Sequence, residues 1–173
     1  MTTRRKCMCN AAAIGSVTLL PFRVHAAGHG ADSFETTNGS VTIHPIAHAS
    51  FVMESPAGVI YVDPVGDAAQ YGDFPEADLV LITHAHGDHF SVETLAAIVW
   101  GKTKLITNPD VFAKLPKGMQ KQASQMANGD RYGQEGLAID AIPAYNTTPE
   151  RQKFHPQGRD NGYVLGFGGA RGY

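Results

Sequence analysis

LVLITHAHGDH, at residues 79–89, is the most informative segment of this 173-residue chain. Its first four residues are continuously apolar, which is typical of a strand buried on both faces. Ser91 predicts the N-cap of a helix, and Gly101 predicts its end. Between them an apolar stripe recurs at helical spacing, at Val92, Leu95, Ala96 and Val99. The segment therefore predicts a buried strand, a polar turn and an amphipathic helix.

Four potential metal ligands lie in that turn: His84, His86, Asp88 and His89. Because the backbone is still extended directly after a strand, His84 and His86 are expected to project to the same side. Gly87 would let the chain bend sharply, so that Asp88 and His89 face the same cavity. Imidazole and carboxylate suit zinc, and two differently aimed pairs suit two adjacent ions. A solvated, histidine-rich loop is the alternative, which the position at the end of a buried strand disfavours.

The segments on either side predict further short elements. Three runs before the buried strand predict an antiparallel meander, at residues 41–44, 50–54 and 59–62. A surface loop is expected at 67–75. After the helix we expect a strand, a short helix and two more strands, at residues 104–107, 109–115, 137–142 and 162–167. Strands combined with helices in this order predict an α/β domain.

Residues 1–26 predict a removable export signal, with a basic start at 4–6, an apolar stretch at 11–20 and a small-x-small ending at 24–26. The apolar stretch is too short to cross a bilayer, which takes about 20 residues. Residues 3–5 resemble the start of a twin-arginine signal, and the general secretory route is equally open. An amphipathic first helix is the alternative. We therefore expect a periplasmic or secreted protein without a stable membrane anchor.

Removal of this signal changes the charge of the chain. Four of the 14 basic residues leave with it, so 10 basic residues face 16 acidic ones and the net charge is about −6. An acidic chain disfavours a nucleic-acid partner. Cys7 and Cys9 leave as well, so any metal must be held by His and Asp. The small polar residues of 27–40 predict a flexible lead-in to a domain at 41–173.

The pattern His-x-His-x-Asp-His after an apolar strand resembles the signature of the metallo-β-lactamase superfamily. Residues 48–51 and 60–64 resemble its opening hairpin and first acidic motif. Residues 144–146, 155–156 and 161–164 resemble its simpler bacterial branch, which includes sugar-lactone hydrolases. The resemblance runs from about residue 41 to the end. It implies an α/β fold, the N-terminal portion of an αββα sandwich.

The resemblance also implies a set of ligands. His84 and His86 would hold a first zinc ion with His155 as the third ligand, while Asp88 and His89 would hold a second. Other divalent metals could replace zinc. Asp88 would also be the proton acceptor. For His155 the alternative is a surface histidine stiffened by the proline that follows it.

Other residues near these motifs leave two interpretations open. Asp63 would brace the histidine-rich turn by hydrogen bonds, or it is an ordinary turn-starting Asp-Pro. His48 would line the mouth of a pocket or simply finish a strand, and the second is favoured. Tyr145 and Asn146 are expected in a turn, with a pocket role open. His44 is expected to be structural.

The implied function is a zinc-dependent hydrolase of an ester, lactone, amide or phosphoester bond in a small-molecule substrate. In the family, an aspartate bridging the metals and a last histidine come from the second half, and no residue here can be assigned to either role. We therefore expect a truncated member, or a half that needs an oligomer or a complementing chain, whose first sheet lacks a packing partner. The alternative function is a catalytically inactive remnant that binds a metal or a partner.

Overall fold

The computed structural model of the chain describes residues 30–172. The export signal predicted over residues 1–26 lies outside the described residues and stays a prediction. Within 30–172, no helix combines the length and the apolar character that a membrane crossing requires.

The predicted buried strand lies within a seven-stranded sheet. In spatial and chain order its strands are β1 (Asp32–Thr36), β2 (Gly39–Ala47), β3 (Ser50–Ser55), β4 (Gly58–Val62), β5 (Leu79–Ile82), β6 (Lys104–Thr107) and β7 (Ala123–Gln125). Strands β1 to β4 pair antiparallel, which confirms the predicted meander. Strands β4 to β7 pair parallel. The carboxyl ends of β4, β5 and β6 therefore meet at one edge of the sheet.

Strand β5 is buried on both faces, as its continuous apolar run predicts. Leu79 and Leu81 enter the core between the two sheets of the molecule. Val80 and Ile82 enter a second core, between this sheet and the helices. Burying one such side chain contributes about 1.5–3 kcal/mol. The strand that carries the histidine-rich turn is thus held from both sides.

A four-stranded antiparallel sheet packs on the inner face of the first sheet. Its strands are β8 (Arg131–Gln134), β9 (Leu137–Ala144), β10 (Asp160–Phe167) and β11 (Ala170–Gly172), in the order β11-β10-β9-β8. Alternate side chains of β9 and β10 fill the core between the sheets. The expectation that the first sheet lacks a packing partner is therefore wrong. Strands β8 and β11 are short and mostly exposed, so their sequences carry little apolar signal.

Three helices lie at the other face of the seven-stranded sheet: α1 (Val92–Ile98), α2 (Pro109–Lys114) and α3 (Lys117–Gln120). The side-chain oxygen of Ser91 accepts a hydrogen bond from the Thr94 N–H at 3.1 Å, which confirms the predicted N-cap. Helix α1 ends at Ile98 and does not reach Gly101. The described residues thus form helix, sheet and sheet layers, part of the predicted α/β sandwich.

The predicted apolar stripe of α1 is partly wrong. Leu95 is buried as expected, but Val92 and Ala96 are exposed, and Ile98 takes the second inward position. Residues three apart share a helical face, and packing against the sheet selects the face of Leu95 and Ile98. The periodicity of the sequence fits either face.

The flexible lead-in predicted over residues 27–40 is wrong in its described part. Asp32–Thr36 form β1, which pairs with β2 from Asp32 opposite Ile43 to Thr36 opposite Gly39. Most of its side chains are exposed, so backbone hydrogen bonds rather than apolar burial hold this edge strand. The predicted loop at 67–75 likewise contains a 3₁₀ helix, Ala68–Tyr71, whose Tyr71 is buried.

Candidate metal centre

The histidine-rich turn lies where the two sheets meet. It follows β5, between Asp63 after β4 and Asn108 after β6. The Thr83 carbonyl accepts hydrogen bonds from the Asn108 Nδ2 at 3.0 Å and from the Asn161 backbone N–H, at the start of β10, at 3.1 Å. The Thr83 carbonyl is thus hydrogen-bonded to a residue that follows the neighbouring strand β6 and to strand β10 of the second sheet.

Three histidines converge at this junction. His84 and His86 come from the turn, and His155 comes from the segment between β9 and β10; one ligand atom of each lies within 4.8 Å of the others. Ring centroids are 4.7 Å apart for His84 and His86, 4.8 Å for His84 and His155, and 4.6 Å for His86 and His155. The second sheet therefore brings its histidine to the pair that follows β5.

Asp63 lies behind the turn and is buried. Its Oδ1 accepts a hydrogen bond from the Thr83 N–H at 2.7 Å, and its Oδ2 accepts from the Thr83 hydroxyl at 2.6 Å and from the His89 Nδ1 at 2.8 Å. Its φ of 43° is in the left-handed region, which costs a residue with a side chain about 1–2 kcal/mol. Despite this unfavourable backbone conformation, the Asp63 carboxylate holds Thr83 and His89 in place by hydrogen bonds.

Hydrogen bonds also determine which ring nitrogen faces the junction. Carboxylates only accept, so Asp63 requires a proton on the His89 Nδ1, and Asp160, at 2.9 Å, requires one on the His155 Nδ1. The Thr83 hydroxyl donates its only proton to Asp63. It therefore accepts the hydrogen bond from the His84 Nδ1, at 2.9 Å. When these three histidines are neutral, their Nε2 atoms consequently carry the lone pairs.

Asp160 was not singled out from the sequence, although it is almost fully buried behind His155. Arg159 donates to it twice, from Nε to Oδ1 at 2.8 Å and from Nη2 to Oδ2 at 2.9 Å. Burial raises the pKa of Asp160, but the hydrogen bonds from Arg159 and His155 outweigh burial, and the pKa is lowered. An Arg-Asp pair at the start of a strand is too common in sequences to signal this role.

A second group adjoins the first and consists of His48, Asp88 and His89, whose ligand atoms also lie within 4.8 Å of one another. The His89 ring lies 4.0 Å from that of His84, centroid to centroid. His48 stands in the turn between β2 and β3, with its Nε2 3.1 Å from the Asp88 Oδ2. The expectation that His48 merely finishes a strand is wrong, because its ring faces the histidine-rich turn.

Burial and neighbouring charges shift the protonation equilibria of the site. Burial, together with the adjacent His89, lowers the pKa of His84 to about 4. The hydrogen bond to Asp63 raises the pKa of His89. A hydrogen bond from its own backbone N–H lowers the pKa of Asp88. At neutral pH the site therefore offers a neutral buried imidazole and an ionised carboxylate.

The bend of the turn does not depend on Gly87, contrary to expectation. A β-carbon built there would meet nothing within 4 Å, and Gly87 is not among the residues with positive φ. Instead, the His86 carbonyl accepts hydrogen bonds from the N–H groups of His89 at 2.9 Å and Phe90 at 2.8 Å. These two bonds close the turn and bring residues 88 and 89 back beside His84.

An open cleft of about 550 Å³ lies beside the first group, lined by His86, Asn146, Arg151, Phe154 and His155. Asn146 thus lies at the cleft, whereas Tyr145 is exposed and does not line it. His44 belongs to neither group, and its ring packs against Phe74 at 5.1 Å. The cleft gives a small molecule access to His86 and His155.

A family model described as the beta-lactamase superfamily domain matches residues 42–171. The chain belongs to the metallo-β-lactamase superfamily. A crystal structure described as a metal-dependent hydrolase from Parabacteroides distasonis is 41% identical, with a TM-score of 0.73, and the match covers 82% of this chain and 63% of that one. A metallo hydrolase from Ignicoccus hospitalis, 22% identical with a TM-score of 0.56 over 76% of this chain and 57% of its own, shares the fold.

Curated proteins are similar as well. A metal-dependent hydrolase of Anaeromyxobacter dehalogenans is 30% identical over 146 residues, which are 76% of this chain and 53% of the relative. One of Pyrococcus horikoshii is 28% identical over 133 residues, 72% of this chain and 56% of the relative. The chain therefore spans about half the length of the curated relatives it matches. Both of these relatives are described as metal-dependent hydrolases.

Proposed function

We propose that this chain binds divalent metal through His84, His86 and His155, with Asp88 and His89 at an adjoining position, and acts as a metal-dependent hydrolase. Zinc is the ion we expect, in one or two copies. The proposal rests above all on the convergence of three imidazoles within 4.8 Å from two different sheets. Histidines forced together without a cation would repel one another whenever they were protonated.

The residues present fit a cation by their donor chemistry. His84, His89 and His155 each have Nδ1 engaged and Nε2 free, the arrangement in which a hydrogen bond on one ring nitrogen orients the other toward a metal. Zinc accepts nitrogen and carboxylate ligands of this kind. The lowered pKa of Asp88 makes its carboxylate a better ligand than a proton acceptor.

In the proposed reaction the chain supplies binding and orientation. A bound divalent ion would activate water and polarise the scissile bond of an ester, lactone, amide or phosphoester. The cleft beside His86 and His155 would receive the small-molecule substrate, and Arg151 at its wall would favour substrates with a negative group. Asp63 and Asp160 would hold the ligand rings in place. We further propose that the protein is exported, as its first 26 residues predict.

The test combines metal content with hydrolysis. We expect purified protein to bind zinc, to hydrolyse a generic ester or lactone, and to lose activity in chelator. His86→Ala removes a half-buried ligand that makes no side-chain hydrogen bond, and should lower both zinc affinity and activity by at least about a hundredfold. His44→Ala is the matched control, since His44 lies outside both groups.

Two results would contradict the proposal. Folded protein that binds no divalent metal would contradict both parts of it. Folded, zinc-loaded protein without hydrolytic activity on esters, lactones, amides and phosphoesters would contradict the hydrolase, and would favour the alternative of an inactive metal-binding chain.

A further inference from the structure

His48 faces Asp88 and His89 from a different element of the fold. It stands at the tip of the β2–β3 hairpin, whereas the other two residues belong to the turn after β5. Its Nε2 lies 3.1 Å from the Asp88 Oδ2, and that oxygen lies 3.8 Å from the His89 Nε2. Its ring meets that of His89 edge-on, at 5.5 Å between centroids. Two separate loops thus direct three donor groups to one place.

These separations fit a shared cation. With metal–ligand distances of about 2.0–2.2 Å, neighbouring ligand atoms of a tetrahedral site lie about 3.4 Å apart. The two distances to the Asp88 Oδ2 lie on either side of that value. The group contains two imidazoles and one carboxylate, a donor set that zinc accepts, and leaves a further position open.

The backbone of His48 is an independent sign that its side chain serves the site. Among the residues 30–172, the only non-glycine residues with positive φ are His48, at 45°, and Asp63, at 43°. His48 is one of two residues in a hairpin turn between Ala47 and Ser50, where glycine or asparagine adopts such a φ more easily. Backbone strain of this kind clusters at functional sites. Both strained residues contact the turn of residues 83–89.

We propose that His48 is a metal ligand, which completes a second site with Asp88 and His89 next to the site of His84, His86 and His155. This inference rests on the proposed function, because it assumes that the junction binds divalent metal. It assigns the third protein ligand of the second ion to the opening hairpin. The chain would then hold two ions with the residues that the structure describes.

His48→Asn tests the assignment without endangering the fold, because asparagine tolerates the left-handed backbone better than histidine does. His48→Gly removes both the imidazole and the strain and serves as a second variant. We expect two zinc ions per wild-type chain by elemental analysis. Both variants should keep one ion, and the affinity for the other should fall at least about tenfold in calorimetric titration. Part of the visible absorption of the cobalt-loaded protein should disappear with it.

The matched control is His44→Gln, which removes a histidine of the adjoining strand β2 that lies outside both groups, and it should leave two ions bound. The assignment is overturned if His48→Asn binds two ions as tightly as the wild type, since His48 would then only pair with Asp88. It is also overturned if the wild type binds a single ion that His86→Ala removes, while the proposed function stands. A wild type that binds no ion defeats both.

Discussion

At the scale of single residues, the site depends on hydrogen bonds that lie behind the histidines. Asp63, Asp160 and Thr83 engage the Nδ1 atoms of three rings, so each ring is fixed in rotation and in tautomer. These partners lie at the ends of strands or next to them, where the backbone is well held. Burial then keeps the His84 ring neutral, which suits a group meant to share its lone pair.

The lowered pKa of His84 predicts a pH-dependent stability in the metal-free protein. The unfolded chain takes up this proton near pH 6.5 and the folded chain only near pH 4, so the unfolded state binds more protons between these values. The free energy of unfolding should therefore fall as the pH drops through this window, with no further loss from His84 below it. Urea unfolding at several pH values measures the slope.

His84→Asn provides the comparison, because its amide can still donate to Thr83 but does not titrate. The variant should lose less stability than the wild type between pH 6.5 and 4. His89, whose pKa is raised, contributes with the opposite sign in both proteins and cancels in the comparison. Equal slopes would show that His84 is not neutral and buried in solution.

At the scale of elements, Asn108 links helix α2 to the histidine-rich turn. It is fully buried. Its Oδ1 accepts a hydrogen bond from the Val111 N–H at 2.7 Å and caps α2, while its Nδ2 donates to the Thr83 carbonyl at 3.0 Å. The side-chain amide of Asn108 thus provides a hydrogen-bond partner for the N-terminus of α2 and for the carbonyl that follows β5. No aliphatic side chain of similar size could do both.

Asn108→Ala should lower the free energy of unfolding by about 2–3 kcal/mol, since it removes an N-cap and leaves the Val111 N–H buried without a partner. Ser91→Ala is the comparison, because Ser91 caps α1 at a less buried position and its side chain hydrogen-bonds only Thr94; its loss should cost about 1 kcal/mol. Denaturant unfolding measures both. Equal effects would mean that the bond to Thr83 contributes nothing.

At the scale of the whole molecule, the proposed metal would connect the two sheets. His84 and His86 follow a strand of the seven-stranded sheet, while His155 precedes β10 of the four-stranded sheet. The sheets already share the core between them and the bonds around Thr83. An ion held by these three histidines would bind only the folded chain, and would therefore stabilise the docking of one sheet on the other.

Zinc at about a hundred times its dissociation constant should raise the free energy of unfolding by about 2.7 kcal/mol, which thermal unfolding detects as a higher Tm. His155→Ala should reduce this gain, because it removes the ligand of the second sheet. Gly87→Ala should keep the gain, since the added methyl group meets open space. A gain that His155→Ala leaves undiminished would show that His155 is not a ligand of the ion.

The sequence by itself determined the local features of this protein: the doubly buried strand β5, the Ser91 cap, the hairpins of the meander and the ligand types in the turn. Each depends on residues close together in the chain, whose propensities and periodicity can be recognised without knowing any tertiary contact. It also supplied the superfamily, through the pattern of residues 84–89.

Only the tertiary structure decided how these pieces meet. It paired β1 and β11 as edge strands, chose the inward face of α1, and placed His155, Asp160 and His48 around the turn. His48 is far along the chain from Asp88 and His89, and the residues beside it do not predict that contact. Such contacts form because strands far apart in the chain bury a shared core. Local propensities do not predict which side chains come together when that core forms.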